Sequence, residues 1–118
     1  MDANHGEALA DITNGIVRLF SEYYGQGPTK VKTHADGDVV VVLLEESFTP
    51  AERTLIDRGE AQSIQDIRRR FQRAMAAEFT AVVERATGRT VRSFLSETDL
   101  ENDISVELFI LEPEPESP

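Results

Sequence analysis

Val39-Val40-Val41-Val42-Leu43-Leu44 places six apolar residues in succession, and this run narrows the possible folds sharply. Successive side chains on a β-strand point to opposite faces, so a strand made from it is apolar on both sides. Strands of that kind belong to sheets covered on both faces. The run is far shorter than the ~20 residues that a membrane-spanning helix requires. Thr29–Thr33 precedes it, and Asp36-Gly37 is a favoured tight-turn pair, so the two segments read as a hairpin closed around Asp36-Gly37.

Helical periodicity surrounds this hairpin. Over residues 7–24, Leu9, Ile12, Ile16, Leu19, Phe20 and Tyr23 recur at three- and four-residue steps. Asn4 and Glu7 form a candidate capping pair at its start. Asn14-Gly15 lies inside the helix, where the glycine costs about 1 kcal/mol of propensity. Gly25-Gln26-Gly27-Pro28 stops it. Thr49-Pro50-Ala51-Glu52 is a capping box that opens a short helix ending near Arg58-Gly59. A longer helix runs from about Ser63 to Ala86, with Ile64, Ile67, Phe71, Met75, Phe79, Val82 and Val83 on one side and Gly88 as its cap. Thr90–Ser96 and Asp103–Leu111 form a second hairpin with Glu97–Asn102 as its loop. In its second strand Ile104, Val106, Leu108 and Ile110 alternate with Ser105 and Glu107, and Phe109 and Leu111 extend the apolar character to both faces at the end.

The order is α-β-β-α-α-β-β, an α+β fold in which two hairpins form one four-stranded antiparallel sheet packed with helices. One domain is expected over residues 1–111, followed by a disordered acidic, proline-rich tail over residues 112–118. The halves echo one another. Val31-Lys32-Thr33 matches Val91-Arg92-Ser93, and Asp38-Val39 matches Asp103-Ile104, which suggests a duplicated αββ unit.

The chemistry is notable for what it excludes. There are no cysteines, which removes disulfides, thiolate zinc sites and thiol nucleophiles. A net charge of −10 repels nucleic acid and anionic lipid. The N-terminus has no basic segment followed by an apolar run, so a cytoplasmic location is expected, with any membrane contact made through a partner. His5 and His34 are the only histidines, and no spacing supplies a metal ligand set or needs a cofactor. An imagined site joining His34 to Asp36, Asp38, Asp99 or Asp103 is outweighed by the use of loop acids as turn formers. No nucleophile elbow, phosphate loop or dinucleotide fingerprint is present, and no catalytic residue stands out. Arg68, Arg69, Arg70 and Arg73 form a dense basic patch, read chiefly as a solvated face; Arg69 and Arg73, four residues apart, share one side.

Taken in order, Tyr24-Gly25-Gln26-Gly27-Pro28, Val31-Lys32, Gly37-Asp38, Thr49-Pro50-Ala51-Glu52, Arg68-Arg69-Arg70, Thr87-Gly88 and Val91 resemble a small bacterial family. It is described as the C component of a sodium-translocating, membrane-potential-generating system. The resemblance covers about residues 7–111, and departs at Gln26, where members often carry a basic residue. It implies an accessory protein beside membrane transport subunits and carries no catalytic residue across. The expectation is therefore a non-enzymatic protein-interaction module, a homodimer, serving as an accessory or regulatory subunit. The alternative is a small-anion or ligand-sensing domain built from Tyr24, Gly25, Gly27 and Pro28 with Arg69 and Arg73.

Overall fold

The structure is a computed structural model and describes residues 5–114. Its elements are α1 (His5–Tyr24), β1 (Lys30–Asp36), β2 (Val39–Glu45), α2 (Pro50–Asp57), α3 (Ala61–Thr87), β3 (Val91–Asp99) and β4 (Ile104–Leu111). The strands form one antiparallel sheet in the order β1-β2-β4-β3. The expected α+β architecture is thus observed. Asn4, the candidate capping residue, lies outside the described residues.

Exchanging the αββ halves reverses the sheet order onto itself, and α1 packs on β1 as α3 packs on β3. This is the arrangement a duplicated unit produces. In the central register Val42 pairs with Glu107, in agreement with the Asp38/Asp103 correspondence. The Val31/Val91 match is out of register, because Val31 lies opposite Leu44 while Phe94 lies opposite the equivalent Phe109. An irregularity between Val91 and Ser93 separates the string similarity from the pairing.

The core lies between one sheet face and the helices. Ile12, Ile16 and Phe20 of α1 meet Met75, Phe79, Val82 and Val83 of α3 over Val40, Val42, Leu44, Phe109 and Leu111. Gly15 explains itself here. A Cβ at that position would lie 2.6 Å from Val82 Cγ1, so the glycine lets α1 and α3 approach closely. Its propensity cost is offset by this packing. Gly25 and Gly88 take the left-handed conformation expected after α1 and α3, with φ of 76° and 70°. At α2, Thr49 Oγ1 accepts from Glu52 N at 3.1 Å and Glu52 Oε1 accepts from Thr49 N at 2.9 Å, completing the capping box.

Four details differ from the sequence expectation. The first hairpin turns on Gly37-Asp38, with Asp36 already paired to Val39. Ile67 is 54% exposed, and the buried line of α3 runs instead through Ile64, Arg68, Gln72 and Met75. Strand β3 continues to Asp99, because Thr98 points inward and shares a 3.0 Å hydrogen bond with Ser105. Glu112 is tied down rather than free, its N–H donating to Thr90 O at 2.8 Å and its carbonyl accepting from Arg89 at 2.7 Å.

Candidate functional site: an open sheet face and the polar cluster behind it

The inner strand rows and the helices lie on the same side of the sheet. The opposite side is left open among the described residues. Alternation puts Lys30, Lys32, His34 and Asp36 of β1 on that side. Opposite them come Glu45, Leu43, Val41 and Val39 of β2, then Ile104, Val106, Leu108 and Ile110 of β4, then Asp99, Glu97, Leu95 and Ser93 of β3. The two central strands therefore present a block of seven aliphatic side chains, joined by Leu95. Val39, Leu43 and Leu95 are 36%, 37% and 56% exposed. The second face of the six-residue apolar run is thus not covered by the protomer's own helices.

Strand β4 sharpens the point. Its apolar row faces outward, while Ser105 and Glu107 face the helices and are buried. Simple patterning would turn the isoleucine row inward and leave the serine and glutamate in water.

Behind the sheet lies a polar cluster anchored on Arg68, which is 1% exposed. Its Nε donates to Glu52 Oε2 at 2.8 Å and its Nη2 to Glu52 Oε1 at 2.7 Å, a two-pronged pair. Nη1 and Nη2 also donate to Ser47 Oγ and Ser47 O, each at 3.2 Å. The guanidinium lies 4.2 Å from the centre of the Tyr24 ring and 4.9 Å from that of Phe48. Burial works to raise the Glu52 carboxyl, but the bonds from Arg68 and Thr49 outweigh it and hold the group below its usual value. Burial also raises the Tyr24 hydroxyl.

Asp103 extends the cluster. It holds a left-handed backbone, φ 52°, and accepts from Ser47 N at 3.0 Å, Phe48 N at 3.2 Å and Arg53 Nη2 at 3.0 Å. Its carboxylate is committed to the strap leading into α2. Farther along, Gln72 Nε2 donates to Thr98 Oγ1 at 3.1 Å. Glu107 is fully buried, and neither carboxyl oxygen has a hydrogen-bond partner. Burial pushes its carboxyl up to about 8, with Ser96 and Arg68 pulling back less strongly. At neutral pH it is mostly uncharged.

The structure does not gather the sequence-predicted ligand site. Tyr24 stands over Arg68, whereas Arg69 and Arg73 open onto a groove between α3 and β3, beside Phe94 and Ser96. None of Gly25, Gly27 and Pro28 lines that groove. Gly25 ends α1, and Gly27 packs against Ser21. Arg69 pairs with Glu97 at 3.5 Å, both groups half-exposed. The basic patch is not wholly a solvated face, since Arg68 is interior. Its one available signal was its place four residues after Ile64 and four before Gln72, on a line that continues to Met75.

A seven-element αββααββ chain with its helices packed on one side of an antiparallel sheet, and an apolar strand pair on the other, is a small α+β domain that leaves one sheet face exposed among the described residues. The chain belongs to the family described as Na+-translocating membrane potential-generating system (MpsC), whose model matches residues 4–113. It is also similar to the uncharacterized protein YbcI of Bacillus subtilis (strain 168), with 29% identity over 101 residues, 85% of this chain and 80% of that protein. No solved structure matches it. Among the described residues, no helix is long and apolar enough to cross a membrane.

Proposed function

We propose that the protein is a non-enzymatic interaction module, acting as an accessory or regulatory subunit of a membrane-potential-generating ion-transport system. The open apolar face of β2 and β4 carries this reading. Exposed patches of contiguous aliphatic side chains on small domains commonly mark protein contacts. A strand that turns isoleucines outward and a glutamate inward makes energetic sense when another chain covers the outer row. Membership in the family supplies the biological setting, and any attachment to the membrane runs through a partner.

The test compares wild type with Leu43→Arg/Leu108→Arg, both expressed in the native host with an affinity tag and recovered from detergent-solubilised membranes. The wild type should co-purify with membrane transport subunits, and the variant should lose them at equal expression. Equal recovery by both proteins would defeat the reading.

A further inference from the structure

We infer that the open face is a self-association surface. A second copy of this chain covers it, sheet against sheet, about a two-fold axis parallel to the strands. This rests on the interaction-module reading and specifies the occupant.

The charge pattern along the two edges selects both occupant and axis. The β1 edge carries Lys30 and Lys32, and the β3 edge carries Asp99 and Glu97 at the same two levels of the register. Between them, at the level of Lys32 and Glu97, lie Leu43 and Val106, and at the next level Val41 and Leu108. Over these two levels the face has two lysines on one margin, a largely apolar centre broken only by Glu45, and two acids on the other margin, while Asp36 closes the far end of β1. Such a surface complements itself when it is turned over about the strand direction. That operation lays β1 of each copy along β3 of the other, with Lys30 opposite Asp99 and Lys32 opposite Glu97, and does so twice by symmetry. It also lays β2 on β4, so Leu43, Val41 and Val39 meet Val106, Leu108 and Ile110, while Glu45 meets Ile104 at the end of the rows. A two-fold across the strands instead puts Lys32 over His34 and leaves Glu97 over Leu95, with two opposed charge pairs in place of four.

The size is adequate. Four strands ~4.8 Å apart and seven residues long at ~3.3 Å each give a flat footprint of roughly 440 Å² per copy. Two footprints give roughly 900 Å² before side-chain relief is counted, close to the ~1,000 Å² at which specific interfaces begin. Packed sheets lie ~10 Å apart, within reach of a lysine and a carboxylate from opposite sides. Each charge already has exposed partners within the protomer, which the dimer must exchange: Lys30 meets Glu46 at 3.7 Å, Glu97 meets Arg69 at 3.5 Å and accepts from Gln65 Nε2 at 2.9 Å, and Asp99 accepts from Asn102 Nδ2 at 2.9 Å and Glu101 N at 3.1 Å. Glu45 stands at the strand end beside Lys30, at the rim of the footprint.

The test uses charge reversal and mixing, read as solution mass by light scattering. Wild type should show twice 13.2 kDa. Lys32→Glu and Glu97→Lys, both on exposed side chains, should each weaken the dimer about tenfold or more by placing like charges opposite one another. Circular dichroism checks that both remain folded. A mixture of the two variants should regain the dimer, because each then meets its opposite charge. Rescue on mixing identifies the strand-parallel axis. A wild type that stays at 13.2 kDa up to ~100 μM overturns the inference. So does a dimer indifferent to both reversals, or one that mixing fails to restore. If wild type is monomeric while Leu43→Arg/Leu108→Arg still loses the transport subunits, self-association falls and the interaction-module reading stands.

Discussion

Replacing Glu107 with glutamine should convert a pH-sensitive core into an insensitive one. In the native protein burial raises this carboxyl to about 8, whereas an unfolded glutamate titrates near ~4.3. Between those values the folded state holds a proton that the unfolded state has released. Native stability therefore falls as pH rises through this window, by at most ~1.4 kcal/mol per pH unit, and levels off above the folded value. Integrated over the window the loss is of order 4 kcal/mol, a large share of the ~5–15 kcal/mol that holds a domain together. Glutamine has nearly the shape of the protonated acid and never ionises. Glu107→Gln should match wild type near pH 5 and exceed it by a few kcal/mol at pH 8. The assay is urea unfolding at pH 5, 6, 7 and 8, taking the difference between the two proteins so that other groups cancel. Parallel stability curves, or a wild type that gains on the variant as pH rises, would refute the assignment of an uncharged, unpaired Glu107.

Gly15→Ala should destabilise the fold by about 1–3 kcal/mol despite its better helix propensity, because the new methyl meets Val82; thermal melting measures it. Glu52→Ala should cost about 3–5 kcal/mol by stranding buried Arg68, while Glu52→Ala/Arg68→Met should recover part of that loss in the same denaturation assay. Raising salt from 0.05 to 0.5 M should weaken the wild-type dimer through its edge pairs and leave the aliphatic centre unaffected, as sedimentation would show. If the dimer is coupled to folding, the melting temperature should rise with protein concentration, and a Leu43→Arg/Leu108→Arg protein should show no such rise.

Much of the fold was legible because its signals are local. The Thr49–Glu52 capping box, the glycines that end α1 and α3, and the apolar run of β2 each dictate their own backbone. The errors have a common cause. Residues 97–102 read as a loop because they are polar, yet Thr98 satisfies its hydroxyl inside the sheet with Gln72 and Ser105. Arg68 read as part of a surface patch because it is charged, yet Glu52, Ser47, Tyr24 and Phe48 together satisfy its charge and flank its plane. Patterning sorts residues by polarity, whereas burial is decided by whether partners from distant segments arrive. Glu52 comes 16 residues earlier in the chain, and no spacing rule connects it to Arg68.

The two sides of β4 carry linked costs. Val42 and Glu107 are cross-strand partners at the centre of the sheet and equivalent in the two αββ halves, both completely buried. One half uses an aliphatic side chain there and the other an acid without a hydrogen bond. An uncharged but unsatisfied carboxyl costs on the order of 1–3 kcal/mol. The outward row of Ile104, Val106, Leu108 and Ile110 loses further stabilisation for as long as water covers it, at roughly 25 cal/mol per Å² of apolar surface. A lone protomer thus carries a penalty on each side of a single strand. Covering the outer row would remove the outward penalty without moving an inner contact. Under the inferred self-association, a second copy supplies the layer that the outer row lacks.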